Sequence, residues 1–454
     1  MKKLIIIIVV AASACIAGTG CKKFVDIGQP KNQLISAEVF ADSTDASATL
    51  VGIYIASMNN SMGINSGGLT LYPGLSADEL APTGTSPSIV QFYQDNILTN
   101  NSSNNGLWVA GYNYIYATNA CLEGVNTSAG IAASAKVRIS AEAKFIRGYE
   151  YFCLLNLYGG IPDVMSTNYR VTSLLPRVST DEIYNQVIAD LQFAEQNLGT
   201  NTGVNDRPNS LAASALLARV FLYQGKYDLA AAEASKVINS GNFQLEADLN
   251  NVFLSGSAET IWQFDLPFNK YTWEGQTFVP TSSRAVPRYV LTNDLFSSFE
   301  PGDQRAVSWT KTNTTGSKSY VYPYKYKSNA LATGASEGEV VLRRAEQYLI
   351  RAEAEMKLGD LSSAIADLNL IRNRAGLPNS TANTPATVFT AIQAERRHEF
   401  FCEGASRWFD LKRWNLANEV LAPLKTSWNS SDQLYPIPVN QISSDPNLIQ
   451  NPGY

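Results

Sequence analysis

The 454-residue chain carries 35 Lys and Arg against 40 Asp and Glu, a formal net charge of −5. Nucleic-acid binding calls for a basic stripe that this balance does not offer. The single histidine, His398, excludes any site built on two His ligands and removes most Ser-His-Asp or Cys-His arrangements.

Lys2 and Lys3, then the apolar run Leu4–Val10, read as a secretory signal that ends near Gly20. Its apolar core is too short to anchor the chain across a bilayer. Gly18-Thr19-Gly20 ahead of Cys21 resembles the processing site of a bacterial lipoprotein, in which the new N-terminal cysteine is acylated. Several acyl chains would hold the protein on a membrane. Cys15, preceded by Ala12-Ser13-Ala14, is the alternative processing site, and Cys21 leaves the longer apolar region. Cys121, Cys153 and Cys402 lie among apolar residues of helical pattern and form no CxxC. Buried free thiols are expected there, with one disulfide among the three left open.

A short tether, Lys22–Lys31, leads to a helix expected from Ser36, and a second apolar stripe runs over Ala46–Ser57. Asn59 to Ser88, rich in Gly, Ser, Asn and Pro, reads as loop and holds the adjacent acids Asp78 and Glu79. Helices are predicted over Asn104–Val125 and Ser140–Tyr158, the latter stopped by Gly159-Gly160-Ile161-Pro162. Ser179 and Glu182 make a capping box for the next helix. Between Asn242 and Gly338 the helical period fades, and Trp and Tyr in turn-rich sequence replace it. There Tyr320, Tyr322, Tyr324 and Tyr326 share one parity, and Pro323 confines that run to an edge strand or an extended loop. From Leu421 the chain is expected to end without helix.

Two stretches share one spacing. Gly225, Tyr227, Ala230 and Val237 match Gly359, Leu361, Ala364 and Ile371. A turn glycine, then apolar, alanine and aliphatic positions is the second half of a tetratricopeptide-like helical hairpin. Around the second copy, the stripe Leu342, Ala345, Leu349, Ala352 and Met356 predicts the preceding helix. Trp108 and Trp408 fall on helical segments and belong to the core.

Five segments in this order resemble the SusD/RagB family of outer-membrane nutrient-binding lipoproteins of Bacteroidetes. They are CKKFVDI, AEAKFIRGYEYFCLLNLYGGIPDV, RRAEQYLIRAEAEMKLGDLSSAIADLNLIRNRAG, ERRHEFFCEGASRWFDLKRW and LYPIPVNQISSDPNLIQNPGY. The resemblance implies a mainly α fold in one domain over residues 21–454. Four tetratricopeptide-like hairpins would form an α-α superhelix, with a loop-rich, minor-β remainder packed on them. Length alone would predict about three domains. The resemblance also implies a lipid-anchored protein on the outer face of the outer membrane, without catalysis, and the residues themselves point to no cofactor and single out no metal ligands. It would capture glycans or another nutrient for a SusC-like, TonB-dependent β-barrel transporter. The charged run Glu395, Arg396, Arg397, Glu399, Arg407, Asp410 and Arg413 is then an ion-pair network between helices.

Sugar recognition suits aromatic rings, which offer rigid contact area, beside amides and carboxylates that take hydroxyls. Asp78, Tyr271, Trp273 and Tyr320, in polar stretches without helical period, are the candidate ligand contacts. Two readings compete. A glycoside hydrolase would need two carboxylates about 5–9.5 Å apart across a cleft, and Asp78, Glu79, Glu274 and Asp303 are the loop acids available. A protein-interaction scaffold would use the helical faces alone.

Overall fold

Gly225 and Gly359 both adopt left-handed backbone, with φ of 69° and 95°. Only a residue without Cβ does this at little cost, so each short turn reverses a helix where the spacing predicts it. The computed structural model describes residues 39–200, 205–266, 271–329 and 336–454. The signal, Cys15, Cys21, the tether and Ser36 lie outside the described residues.

Eight of the described helices form four successive pairs. These are α1 (Ser43–Asn59) with α2 (Ser102–Thr127), and α3 (Ala133–Tyr158) with α4 (Thr180–Asn197). The others are α5 (Ser210–Tyr223) with α6 (Tyr227–Asn239), and α7 (Arg344–Leu358) with α8 (Leu361–Arg374). Each packs on the next, and α6 lies directly on α7. The segment between those two therefore leaves the stack and re-enters it at one place. Ala230, Val237, Ala364 and Ile371 are fully buried at the helix contacts. Ser179 and Glu182 cap α4 reciprocally. Beyond the stack lie α9 (Pro385–Phe400) and α10 (Ser406–Arg413). The strands form three two-stranded antiparallel sheets among the described residues: β1 (Leu80–Pro82) with β3 (Tyr289–Leu291), β2 (Thr260–Phe264) with β6 (Glu339–Arg343), and β4 (Thr310–Thr315) with β5 (Lys318–Pro323). The main apolar core runs from Ala46 to Leu448 and holds Trp108 and Trp408, and a second cluster, around Leu349, Leu368 and Ile392, lies between α7, α8 and α9.

Several expectations change. Leu342 is not on α7 but on β6, opposite Trp262; the sheet claims the first residues of the apolar stripe. Asn59 to Ser88 is loop only in part, as at the exposed Thr83–Ser86. A kinked turn at Ile64–Gly68 and a helix at Leu69–Ser76 are buried throughout. An element buried on all sides has no polar face to give it a period. Trp273 opens a short helix, Trp273–Phe278, where the Thr272 hydroxyl accepts from the Gly275 N–H at 3.0 Å. The C-terminal stretch holds a one-turn helix at Val439–Ser444, begun after Pro438. The tyrosine run splits, because β5 ends at Pro323. Tyr322 and Tyr326 are buried, while Tyr320 and Tyr324 are half-buried.

The charged run is the expected network. Arg396 and Arg413 hold Asp410, Arg407 holds Asp78, and Arg305 reaches Glu395 and Glu399. His398 is buried, bonds Ser298 Oγ at 2.9 Å and stacks on Phe299. Burial brings its pKa down to about 4, so the ring is neutral near pH 7. Cys121, Cys153 and Cys402 are free and buried.

Candidate functional site

The short ladder β1–β3 joins parts of the chain that are distant in sequence. Thr292 donates from Oγ1 to the Asp78 carbonyl at 2.6 Å and from N–H to the Glu79 carbonyl at 2.9 Å. At the other end the Thr83 N–H donates to the Arg288 carbonyl at 3.0 Å. A groove opens at each end of this ladder.

The larger, about 730 Å³, is lined by Thr83, Ser86, Ile89, Arg288, Tyr289 and Tyr320 among others. Tyr289 faces Pro82 in the ladder and rests edge-on against Phe278, with centroids 6.1 Å apart. Tyr320 pairs with Asn313 across β4–β5. The Asn313 amide donates to the carbonyls of Ser282 and Ala285, at 3.1 and 3.0 Å, which pins the hairpin to the segment leading into β3. Two half-buried phenol rings and an exposed guanidinium thus border one groove beside the Thr83 and Ser86 hydroxyls. Its volume is in the range of small-ligand pockets, and rings next to hydroxyls and a guanidinium give a mixed surface that suits a sugar's apolar faces and hydroxyls.

The smaller groove, about 350 Å³, is lined by Ala77, Asp78, Tyr93, Asp294 and the stretch Leu424–Ser427. Tyr93 lies one helical turn beyond Ile89, so one helix, Pro87–Tyr93, contributes to both grooves.

The four candidate residues are not gathered at one place. Tyr320 lines the larger groove. Asp78 borders the smaller, but its carboxylate is buried and engaged: Arg407 donates to both oxygens at 2.7 and 2.8 Å, and Arg397 lies 2.7 Å away. Burial alone would raise its pKa, yet the hydrogen bonds and charges of these arginines lower it. Trp273 donates its indole N–H to the Met58 carbonyl at 2.6 Å. Tyr271 is half-buried two residues before it.

Sequence reasoning missed Tyr289, Arg288 and Tyr93. Arg288 and Tyr289 follow Pro287 between valines, and Tyr93 closes a helix, so the search for polar stretches without helical period that selected Tyr320 passes over all three.

The other loop acids face inward. Burial, then the charge of Asp78, pushes Glu79 up to about 8, and its carboxylate accepts from the Cys402 N–H at 3.3 Å. Asp303 holds Arg305. Glu274 accepts from Thr70 at 3.0 Å and lines a cavity of about 50 Å³ with Glu339. Burial raises both carboxyls, and a hydrogen bond between them requires a shared proton. Among the described residues, no group of three or more His, Cys, Asp or Glu could hold a metal ion.

Two family models match the chain. One, described as "SusD family", covers residues 267–454, and the other, "Starch-binding associating with outer membrane", covers residues 46–222. The chain belongs to the SusD/RagB family. The two matched stretches each supply one wall of the larger groove, Thr83 to Ile89 from residues 46–222 and Arg288 to Tyr320 from residues 267–454. Among SusD-like relatives, protein P2 of Formosa agariphila is 26% identical over 96% of this chain and 97% of its own length. The starch-binding protein SusD of Bacteroides thetaiotaomicron is 25% identical over 72% of this chain and 74% of its own. A SusD superfamily protein from Bacteroides vulgatus has the same fold, with a TM-score of 0.81 at 21% identity, covering 91% of this chain and all of that one.

Proposed function

We propose that this protein is a non-catalytic glycan-binding member of the SusD/RagB family that takes its ligand in the groove bordered by Tyr289 and Tyr320. It hands that ligand to a SusC-like, TonB-dependent barrel, and acylated Cys21 holds it on the outer face of the outer membrane. Residues 21–454 act as one domain on this reading, in keeping with the main core that runs from Ala46 to Leu448. The observation that carries the reading is the two phenol rings bordering a groove that both family-matched stretches build. The starch-binding description of one model and of the Bacteroides thetaiotaomicron relative supports a saccharide ligand. The outer-membrane wording of the same model supports the location. The loop acids give the hydrolase reading no support, since Asp78, Asp303 and Glu274 are engaged inside the protein.

The test is calorimetry against a panel of oligosaccharides, with Tyr289→Ala and Tyr320→Ala. Losing one stacked ring removes about 0.5–1.5 kcal/mol, so each variant should bind several-fold to about tenfold more weakly. Binding that both variants retain in full moves the ligand out of this groove. Hydrolysis of any panel member overturns the non-catalytic reading.

A further inference from the structure

A third groove, of about 510 Å³, lies away from the β1–β3 ladder, between the end of α3, the start of α4, α10 and the C-terminal segment. Its lining includes Asn156, Thr180, Tyr184, Tyr223, Lys412 and Gln433. Lys412 stands out. Its Nζ donates to the Asn156 carbonyl in the last turn of α3, which uses one of three ammonium hydrogens.

The charges around it are otherwise engaged. Arg413 binds Asp410 and Glu353, and Asp410 is shared with Arg396. Asp432 accepts from the Asn429 N–H at 2.6 Å, and Glu182 caps α4. Asp181, also on the first turn of α4, is exposed. Among the described residues, no carboxylate pairs with Lys412. Lys412 is half-buried, its ammonium lies over the Trp408 and Phe409 rings at 5.5 and 5.4 Å, and burial lowers its pKa to about 7, the direction expected of a charge held without a full counter-charge. The helix end offers partial compensation through its dipole. An anion in the groove would complete it.

We propose that this groove is a second binding site, for a saccharide that carries a carboxylate or sulfate group. Lys412 supplies the counter-charge, and the half-buried Tyr184 and Tyr223 supply apolar wall. The Thr180 hydroxyl borders the groove, and the Asn156 and Gln433 amides, which each donate one N–H to a main-chain carbonyl, of Phe152 and Ser430, keep a second N–H for sugar hydroxyls. The site is separate from the Tyr289–Tyr320 groove and does not depend on it.

The test uses the full chain in detergent, titrated by calorimetry with digalacturonate, galactose 6-sulfate and galactose at pH 6 and pH 8.5. At least one anionic sugar should bind at pH 6, at least tenfold more tightly than galactose. Its affinity should fall roughly tenfold by pH 8.5, as the free ammonium loses its proton. Lys412→Gln keeps a donor for Asn156 and should weaken the anionic sugar at least tenfold. Thr180→Trp, at an exposed helix start, fills the groove without touching Lys412 and should weaken it as much. Preference for one of the two anionic sugars assigns the anion as carboxylate or sulfate. No heat from either at millimolar concentration, or undiminished binding to the folded variants, overturns the proposal and leaves Lys412 as the C-terminal cap of α3.

Discussion

Glu150 is a fully buried carboxyl on α3. Oε1 accepts from the Asn65 amide at 2.5 Å, and Oε2 has no hydrogen-bond partner among the described residues. Burial pushes its pKa up to about 8, against the pull of the Asn65 bond. In the unfolded chain a glutamate titrates near 4.3. Between about pH 4.5 and pH 8 the folded protein therefore holds a proton that the unfolded chain has released, and stability falls as pH rises through that window. At about 1.36 kcal/mol per unit, the group costs at most roughly 5 kcal/mol above pH 8. Glu150→Gln keeps an acceptor for Asn65 and removes the linkage. Urea unfolding at pH 5, 6.5 and 8 should find the variant more stable at pH 8, with the gap narrowing toward pH 5. Parallel wild-type and variant curves would show that Glu150 is ionised in the fold. Nothing in the sequence marks this residue, because α3 carries Glu142 and Glu150 on the same helix and only the fold decides that Arg207 reaches the first and Asn65 the second.

The elements divide into those that announce themselves and those that the fold imposes. The hairpins at Gly225 and Gly359 were legible because an amphipathic helix repeats its pattern over three or four turns and a left-handed glycine ends it. The helix at Leu69–Ser76 and the one-turn helix at Val439–Ser444 were not. Each is too short to stand alone and forms where neighbours complete its contacts. The candidate site shows the same division. Tyr320 was picked from its polar, aromatic stretch. Tyr289 belongs to the groove because it pairs with Pro82, a register that no local pattern encodes. The short helix Trp273–Phe278 tests how far tertiary contact sets such an element. A Cβ on Gly275 would stand 2.1 Å from the Ser328 carbonyl oxygen, a backbone atom that cannot turn aside. Gly275→Ala should cost about 1–3 kcal/mol, the usual penalty of overpacking. It should also draw the Trp273 indole from the Met58 carbonyl. A lower melting temperature with a shifted tryptophan emission is the expected result, and an unchanged melt would mean that the Ser328 loop gives way freely.

At the scale of the whole molecule, one buried ionic knot joins the helical stack to the segment between α6 and α7. Glu399 on α9 lies at its centre, with Arg305, Arg343 and Arg374 each within 3.0 Å. Arg305 comes from the inserted segment, Arg343 from β6 and Arg374 from α8, and Glu259 bridges Arg343 and Arg374 from the start of β2. Burial works to raise the Glu399 pKa, but Arg374, Arg343 and Arg305 hold it well below the usual carboxylate range. Such a knot adds less net stability than its contact number implies, because every charge in it has been taken from water. Removing one member is a different matter. Glu399→Gln leaves three guanidinium groups facing one another with one acid fewer, and the expected loss is about 3–5 kcal/mol at pH 7. The pKa is depressed, so the stabilisation is fully present above the unfolded value near 4.3 and fades as pH falls through the folded value. Chemical unfolding at pH 7 and at successively lower pH should show the variant's deficit shrinking below about pH 4.5. Since the knot is buried, the deficit at pH 7 should hardly change between low and moderate salt. A deficit that salt largely abolishes would mean that water reaches the knot, and that the inserted segment carrying the candidate groove is joined to the helical stack more loosely than these contacts imply.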